Sequence, residues 1–119
     1  MTGYSTECSG HPIGQGSTLD AQITGVDGPS GQSVPADAQA VVVNVTAIGG
    51  SASTYLTVFP AGSAPPNASN LNVTANLNQA NLVVVALGTG GQVGIYNSAG
   101  TINVAVDVEG YFAAASGDV

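Results

Sequence analysis

The chain contains no lysine and no arginine. Seven acidic residues and a single histidine leave a formal charge of −7, and only 6% of the residues are charged, where an ordinary domain carries roughly 25%. Binding to nucleic acid through phosphate neutralisation requires cations and is excluded as an expectation. Anionic membrane surfaces would repel such a chain. Trypsin-like proteases, which need a basic side chain before the cut, find no site. Two readings fit this absence: compositional drift toward a surface of Ser, Thr, Asn, Gln and Gly, or selection for protease resistance.

Other absences narrow the class further. There is one cysteine, Cys8, so no disulfide can form within the chain. No apolar run is long enough to span a membrane, so no membrane insertion is expected. No signal peptide is visible, and export therefore implies that the chain is a segment of a longer precursor. Tryptophan is missing and phenylalanine occurs twice. The 44% of hydrophobic residues are mostly Val, Ala, Leu and Ile, which pack better in sheets than in helices. A chain of 119 residues fits one domain and can bury a core without metal or disulfides.

The pattern along the chain is strands and turns. Residues 1–16 (MTGYSTECSGHPIGQG) have no periodicity and are rich in Gly and Pro; they are expected to form an irregular arm. From 17 to 113 short apolar runs alternate with Gly, Pro, Asn and Ser, the spacing of a sandwich. Strands are expected over 17–24, 38–48, 54–59, 69–77, 81–87, 92–96 and 101–112, with a flexible tail over 114–119. In 69–77 (SNLNVTANL) apolar and polar residues alternate, as in a strand with one dry and one wet face. The 81–87 run (NLVVVAL) is apolar on both faces, which predicts a central strand. The last two strands are expected to pair as a hairpin around Asn97-Ser98-Ala99-Gly100, and short connections throughout imply antiparallel pairing. No window has helical period with caps. The expected fold is a single antiparallel all-β sandwich of about seven strands, Ig-like or jelly-roll in topology, behind an irregular N-terminal arm.

Catalysis needs a nucleophile, a base and an orienting group held within hydrogen-bond reach. The only thiol is Cys8 and the only imidazole is His11, both in the arm, so no enzyme activity is expected. As a zinc site the pair falls short of the four ligands a structural site uses. A lone Cys8 in an oxidising compartment is better read as an intermolecular contact. Asp107 and Glu109, two apart on one strand, share a face. With Asn103 and an acid from a loop, Asp27 or Asp37, they could hold calcium; no cofactor is expected, with calcium as the one possible exception. The plainer reading is a solvated outer face, a role that also suits Asp20.

Amide side chains are the most suggestive series: Asn44, Asn70, Asn72, Asn76, Asn81, Asn97 and Asn103. Amides both donate and accept, so they can grip sugar hydroxyls or tie loop backbone inside the fold. Tyr55, Tyr96 and Tyr111 offer stacking faces in a region without charge. Tyr55, Asn70, Asn72, Tyr96, Asn97 and Tyr111 are therefore the candidate ligand-binding residues, with polysaccharide as the ligand class. Asn44, Asn67 and Asn72 also begin glycosylation sequons. A final signal is an omission: sheet edges are commonly guarded by Lys, which this chain lacks, so edge-to-edge assembly is open to it.

Three segments carry a resemblance: VPADAQAVVVNVTAIG (34–49), TYLTVFPAGSAPPNASNLNVTAN (54–76) and NLVVVALGTGGQVGIYNSAGTINVAVDVEGYF (81–112). Over about two thirds of its length the chain resembles a Val- and Asn-rich β-domain of actinobacterial secreted and cell-surface proteins. That domain often occurs in tandem or fused to hydrolases. It commonly opens with an Arg-Leu-Leu-Asp-Thr-Arg-like segment, absent here. The resemblance implies an extracellular or cell-surface accessory module and transfers no catalytic residue. The leading expectation is a protease-resistant structural module joining like units or adjacent domains of a larger secreted protein. A carbohydrate-binding accessory module and a calcium-dependent adhesion module are the alternatives.

Overall fold

The computed structural model of the chain describes residues 4–7, 12–25 and 33–113. Eight strands run in chain order: β1 (Tyr4–Glu7), β2 (Ser17–Gln22), β3 (Ala40–Ile48), β4 (Thr54–Pro60), β5 (Leu71–Val73), β6 (Gln79–Ala86), β7 (Gln92–Asn97) and β8 (Asn103–Phe112). A single turn of 3₁₀ helix, Thr89–Gly91, joins β6 to β7. Two four-stranded sheets result, ordered β1-β8-β3-β6 and β2-β7-β4-β5, and every strand pair in them is antiparallel.

The pairings β1 with β8, β2 with β7, β3 with β6 and β4 with β5 are nested. They describe one long hairpin closed by the β4–β5 loop, then rolled so that β3 meets β8 and β4 meets β7. This is the jelly-roll arrangement and not the Ig-like one, in which neighbours in sequence pair repeatedly. Except at β4–β5, consecutive strands lie in opposite sheets. Short connections here are therefore arches between sheets.

The core lies between the sheets and is built almost wholly of β-branched residues. Val41, Val43, Val45, Val104, Val106 and Val108 line one inner face, and Leu56, Val93 and Ile95 line the other, all essentially without solvent contact. Each contributes about 1.5–3 kcal/mol on burial. The period-two alternation in β3, buried at Val41, Val43, Val45 and Ala47, is the one its sequence predicts. Ile13 exchanges backbone hydrogen bonds with Ile102 (2.8 and 3.1 Å), so the end of the expected arm is fastened to the core.

Four expectations need correction. Tyr4–Glu7 is a strand on β8, inside the segment expected to be irregular. The 92–96 and 101–112 strands do not form a hairpin: β7 lies between β2 and β4 and β8 between β1 and β3, so both edges of each ladder are taken and their apolar faces meet across the sandwich. β6 is an edge strand rather than a central one, and Leu82 and Val84 on its outer face are 58% and 63% exposed. The alternation of 69–77 supports a strand only over Leu71–Val73. Asn76 takes a left-handed conformation (φ 65°), Leu77 N donates to Thr74 O, and the chain turns there, leaving Leu77 outside.

Candidate functional site

The outer face of the β2-β7-β4-β5 sheet carries a concave surface around Tyr55. Tyr55 of β4 stands opposite Asn72 of β5, and Tyr96 of β7 stands opposite Thr57 of β4. The two tyrosine rings lie diagonally, with centroids 6.2 Å apart and planes inclined at 48°. Three concavities of about 270, 540 and 270 Å³ meet at Tyr55. Their walls are Asn67, Ala68, Ser69 and Asn72; Ser53, Thr74, Gln79 and Ser98; and Pro65, Pro66 and Tyr96. No charged side chain lines any of the three. Aromatic faces are surrounded by amides and hydroxyls that both donate and accept.

The wall formed by residues 65–69 is held in place by one side chain of β4 and by Asn70, which follows the wall and binds the β4 backbone. Thr57 Oγ1 donates to Ala68 O (2.5 Å), and Val58 N donates to Asn70 Oδ1 (2.7 Å). Thr57 is thereby covered and buried, although it shares the outer face with Tyr55. Farther along that face Phe59 lies over Gly94, its partner in the ladder. A Cβ on Gly94 would come within 2.7 Å of the Phe59 ring, so a residue without a side chain is required there.

The backbone of Tyr55 is clamped at both ends by one serine. Tyr55 N donates to Ser98 Oγ (3.3 Å) and Ser98 N donates to Tyr55 O (3.2 Å). Ser98 follows Asn97, which organises this end of the sandwich. Asn97 Nδ2 donates to Ile13 O and Gly100 O (both 2.9 Å), and its Oδ1 accepts from Thr54 Oγ1 (2.7 Å). One buried amide thus joins the chain before β2, the arch after β7 and the start of β4.

The candidate ligand residues separate accordingly. Tyr55, Asn72 and Tyr96 come together on the concave surface. Asn97 does not belong there: it is fully buried and its amide is engaged within the fold. Asn70 is a wall anchor, bonded to Val58 N through its side chain and to Asn81 Nδ2 through its carbonyl (2.6 Å). Tyr111 lies on β8, in the other sheet. Ser53, Pro65, Pro66, Asn67, Ser69, Thr74, Gln79 and Ser98 were missed. The Pro-Pro-Asn run between two strands was the one signal that could have pointed to a stiff wall.

Asp107 pairs with Asn44 in the β3–β8 ladder and is half-buried. Glu109 is the extra residue of a bulge, since Val108 pairs with Val43 and Gly110 with Val42. Among the described residues no group of three or more His, Cys, Asp or Glu comes together, so Asp37 does not join this pair. Cys8, His11 and Asp27 lie outside the described residues. Among the described residues, no helix is long and apolar enough to cross a membrane. Comparison with protein-family models, curated proteins and solved structures finds no match to this chain.

Proposed function

We propose that the protein is a non-catalytic binding module of an extracellular or cell-surface protein, and that its ligand is a neutral polysaccharide. A jelly roll hosts unrelated functions, so the reading rests on the site and not on the fold. The observation that carries it is the tilted Tyr55–Tyr96 pair in an open surface walled only by uncharged hydrogen-bonding groups. Sugar rings present C–H faces to aromatic rings and hydroxyls to amides, and such surfaces need no charge. Rings inclined at 48° form an angled platform. That geometry suits a single chain that turns between sugars better than a flat crystalline surface. The same lack of charge disfavours uronic or sulfated polymers, since a chain of net charge −7 repels them.

Retention of the full chain on a panel of soluble neutral and acidic polysaccharides tests this, by affinity electrophoresis and calorimetry. Binding to at least one neutral polymer is expected. Tyr55→Ala should weaken it at least about 10-fold, the effect of about 1.4 kcal/mol, with the melting temperature held within a few degrees. No retention on any neutral polymer, or equal binding by Tyr55→Ala, overturns the reading.

A second reading, assembly with like units, is supported by a different observation: β6 is a sheet edge that no other described strand pairs with, and it carries exposed Leu82 and Val84. The two readings share only Gln79, at the start of β6, and are otherwise carried by different strands.

A further inference from the structure

The sandwich has four sheet edges: β1, β6, β2 and β5. Three are guarded or short. β1 has four residues, β2 carries Asp20, and β5 has three residues. β6 has eight residues, QANLVVVA, with no charge and no proline. Charge, proline and shortness are the usual means of keeping sheet edges apart. β6 has none of them.

The backbone parity of β6 follows from its neighbour. Leu87 N donates to Gln39 O (3.0 Å), which puts the odd-numbered residues of this strand on the β3 side. N–H and C=O groups alternate sides along a strand, so those of Leu82, Val84 and Ala86 point to the free edge. In agreement, Leu82 N donates to the Asn81 side chain (3.0 Å) and not to β3. On the outer face the side chains of the same three residues continue an apolar surface through Val42 and Ala40 to Phe112, which is 55% exposed. The nearest acids on that face, Asp107 and Glu109, are on β8, two strands away, at roughly 10 Å.

We propose that β6 is the site of pairing with a second copy of this chain, antiparallel and centred on Val84, which joins two four-stranded sheets into one. This rests on the assembly reading and specifies its contact. Only even-numbered residues can donate and accept across the seam. A two-fold axis at Val84 then lets each Val84 exchange N–H and C=O with its copy, and each Leu82 C=O accept from the partner's Ala86 N–H. The same register sets the large Leu82 side chain beside the small Ala86 of the other copy, and Val84 beside Val84. Charge also selects this occupant. A basic partner would be drawn to the acids on β2 and β8, whereas two chains without a cation meet best where neither carries an anion, and β6 is the long edge of that kind.

The test uses the full chain in reductant, so that Cys8 cannot cross-link, with mass followed by sedimentation equilibrium from micromolar to millimolar concentration. The wild-type mass should rise from 11.5 kDa toward twice that value. Val84→Lys should weaken dimerisation about 100-fold or more, while Thr18→Lys on the β2 edge should leave it unchanged. Both positions are exposed, so neither change threatens the fold. In a Cys8→Ser background, Val84→Cys should form a disulfide-linked dimer on oxidation, because directly opposed residues lie at about 5.5 Å between Cα atoms; Thr18→Cys should not. A wild-type monomer at every concentration overturns both the pairing and the assembly reading. A dimer insensitive to Val84→Lys, or one that Val84→Cys does not trap, overturns the β6 pairing alone and leaves assembly standing.

Discussion

Asn97 and Asn103 show how differently one residue type behaves in the same fold. Asn97 is fully buried, and its amide satisfies carbonyls of Ile13 and Gly100 while accepting from Thr54. Removing it strands several buried groups at once, each costing about 1–3 kcal/mol. Asn97→Ala should therefore destabilise by about 2–4 kcal/mol in urea unfolding. It should also loosen Tyr55, whose backbone is clamped by the adjoining Ser98, and so weaken polysaccharide binding. Asn103 is the converse. Its Oδ1 is buried on the outer side of β8 with no hydrogen-bond partner among the described residues. Asn103→Val removes that unpaired group and suits a strand, so it should stabilise by about 1 kcal/mol and raise the melting temperature by roughly 4 °C. An unchanged or lower melting temperature would show that the amide is satisfied in solution.

At the scale of elements, β7 and β4 show packing that no single strand reveals. Gly94 looks like a weak point in a strand where Val93, Ile95 and Tyr96 surround it. Its place opposite Phe59 explains it, since the ring lies where a Cβ would be. Gly94→Val should cost about 1–3 kcal/mol through overpacking, in spite of its better strand propensity. Thermal unfolding decides between the two effects by the sign of the change. The strands themselves were largely readable: seven of the eight lie within or close to the runs expected from alternation. The misreadings came from residues whose partner is distant. The stretch 74–77 keeps the alternation of 69–73 although the chain turns at Asn76, because period two records only which side is apolar and not whether a ladder is present. The doubly apolar run of β6 predicts a central strand because burial on both faces is the usual cause of such a run. Here one face is uncovered.

For the whole molecule, the absence of cations governs behaviour that no local contact explains. Two copies carry −7 each, so approach is opposed at long range even where the contact itself is neutral. Screening shortens that repulsion, with a Debye length of about 8 Å at physiological salt and about 3 Å at 1 M. Self-association should accordingly tighten as sodium chloride is raised, the reverse of an interface held by ion pairs. Sedimentation at low and high salt reads this directly, and weakening by salt would point to a charged contact. Neutral-sugar binding at Tyr55 should be insensitive to the same change. Because the sugar surface centres on Tyr55 of β4 and the β6 pairing on Val84, a dimer would present two sugar sites and bind a long polymer more tightly than a monomer does.

The sequence by itself determined the class: period-two runs of Val, Leu and Ile need two facing sheets, and a chain without cations cannot neutralise phosphate. It also marked Tyr55, Asn72 and Tyr96 as residues able to form an uncharged site. Only the tertiary structure decided that these three share one surface while Asn97 and Asn70 serve the fold. Strand order depends on which apolar faces meet across the sandwich, and a one-dimensional pattern holds no record of that. Rolling the long hairpin sends β7 and β8 to opposite sheets, brings the 65–69 wall beside Tyr55, and leaves β6 at an edge with Leu82 and Val84 exposed.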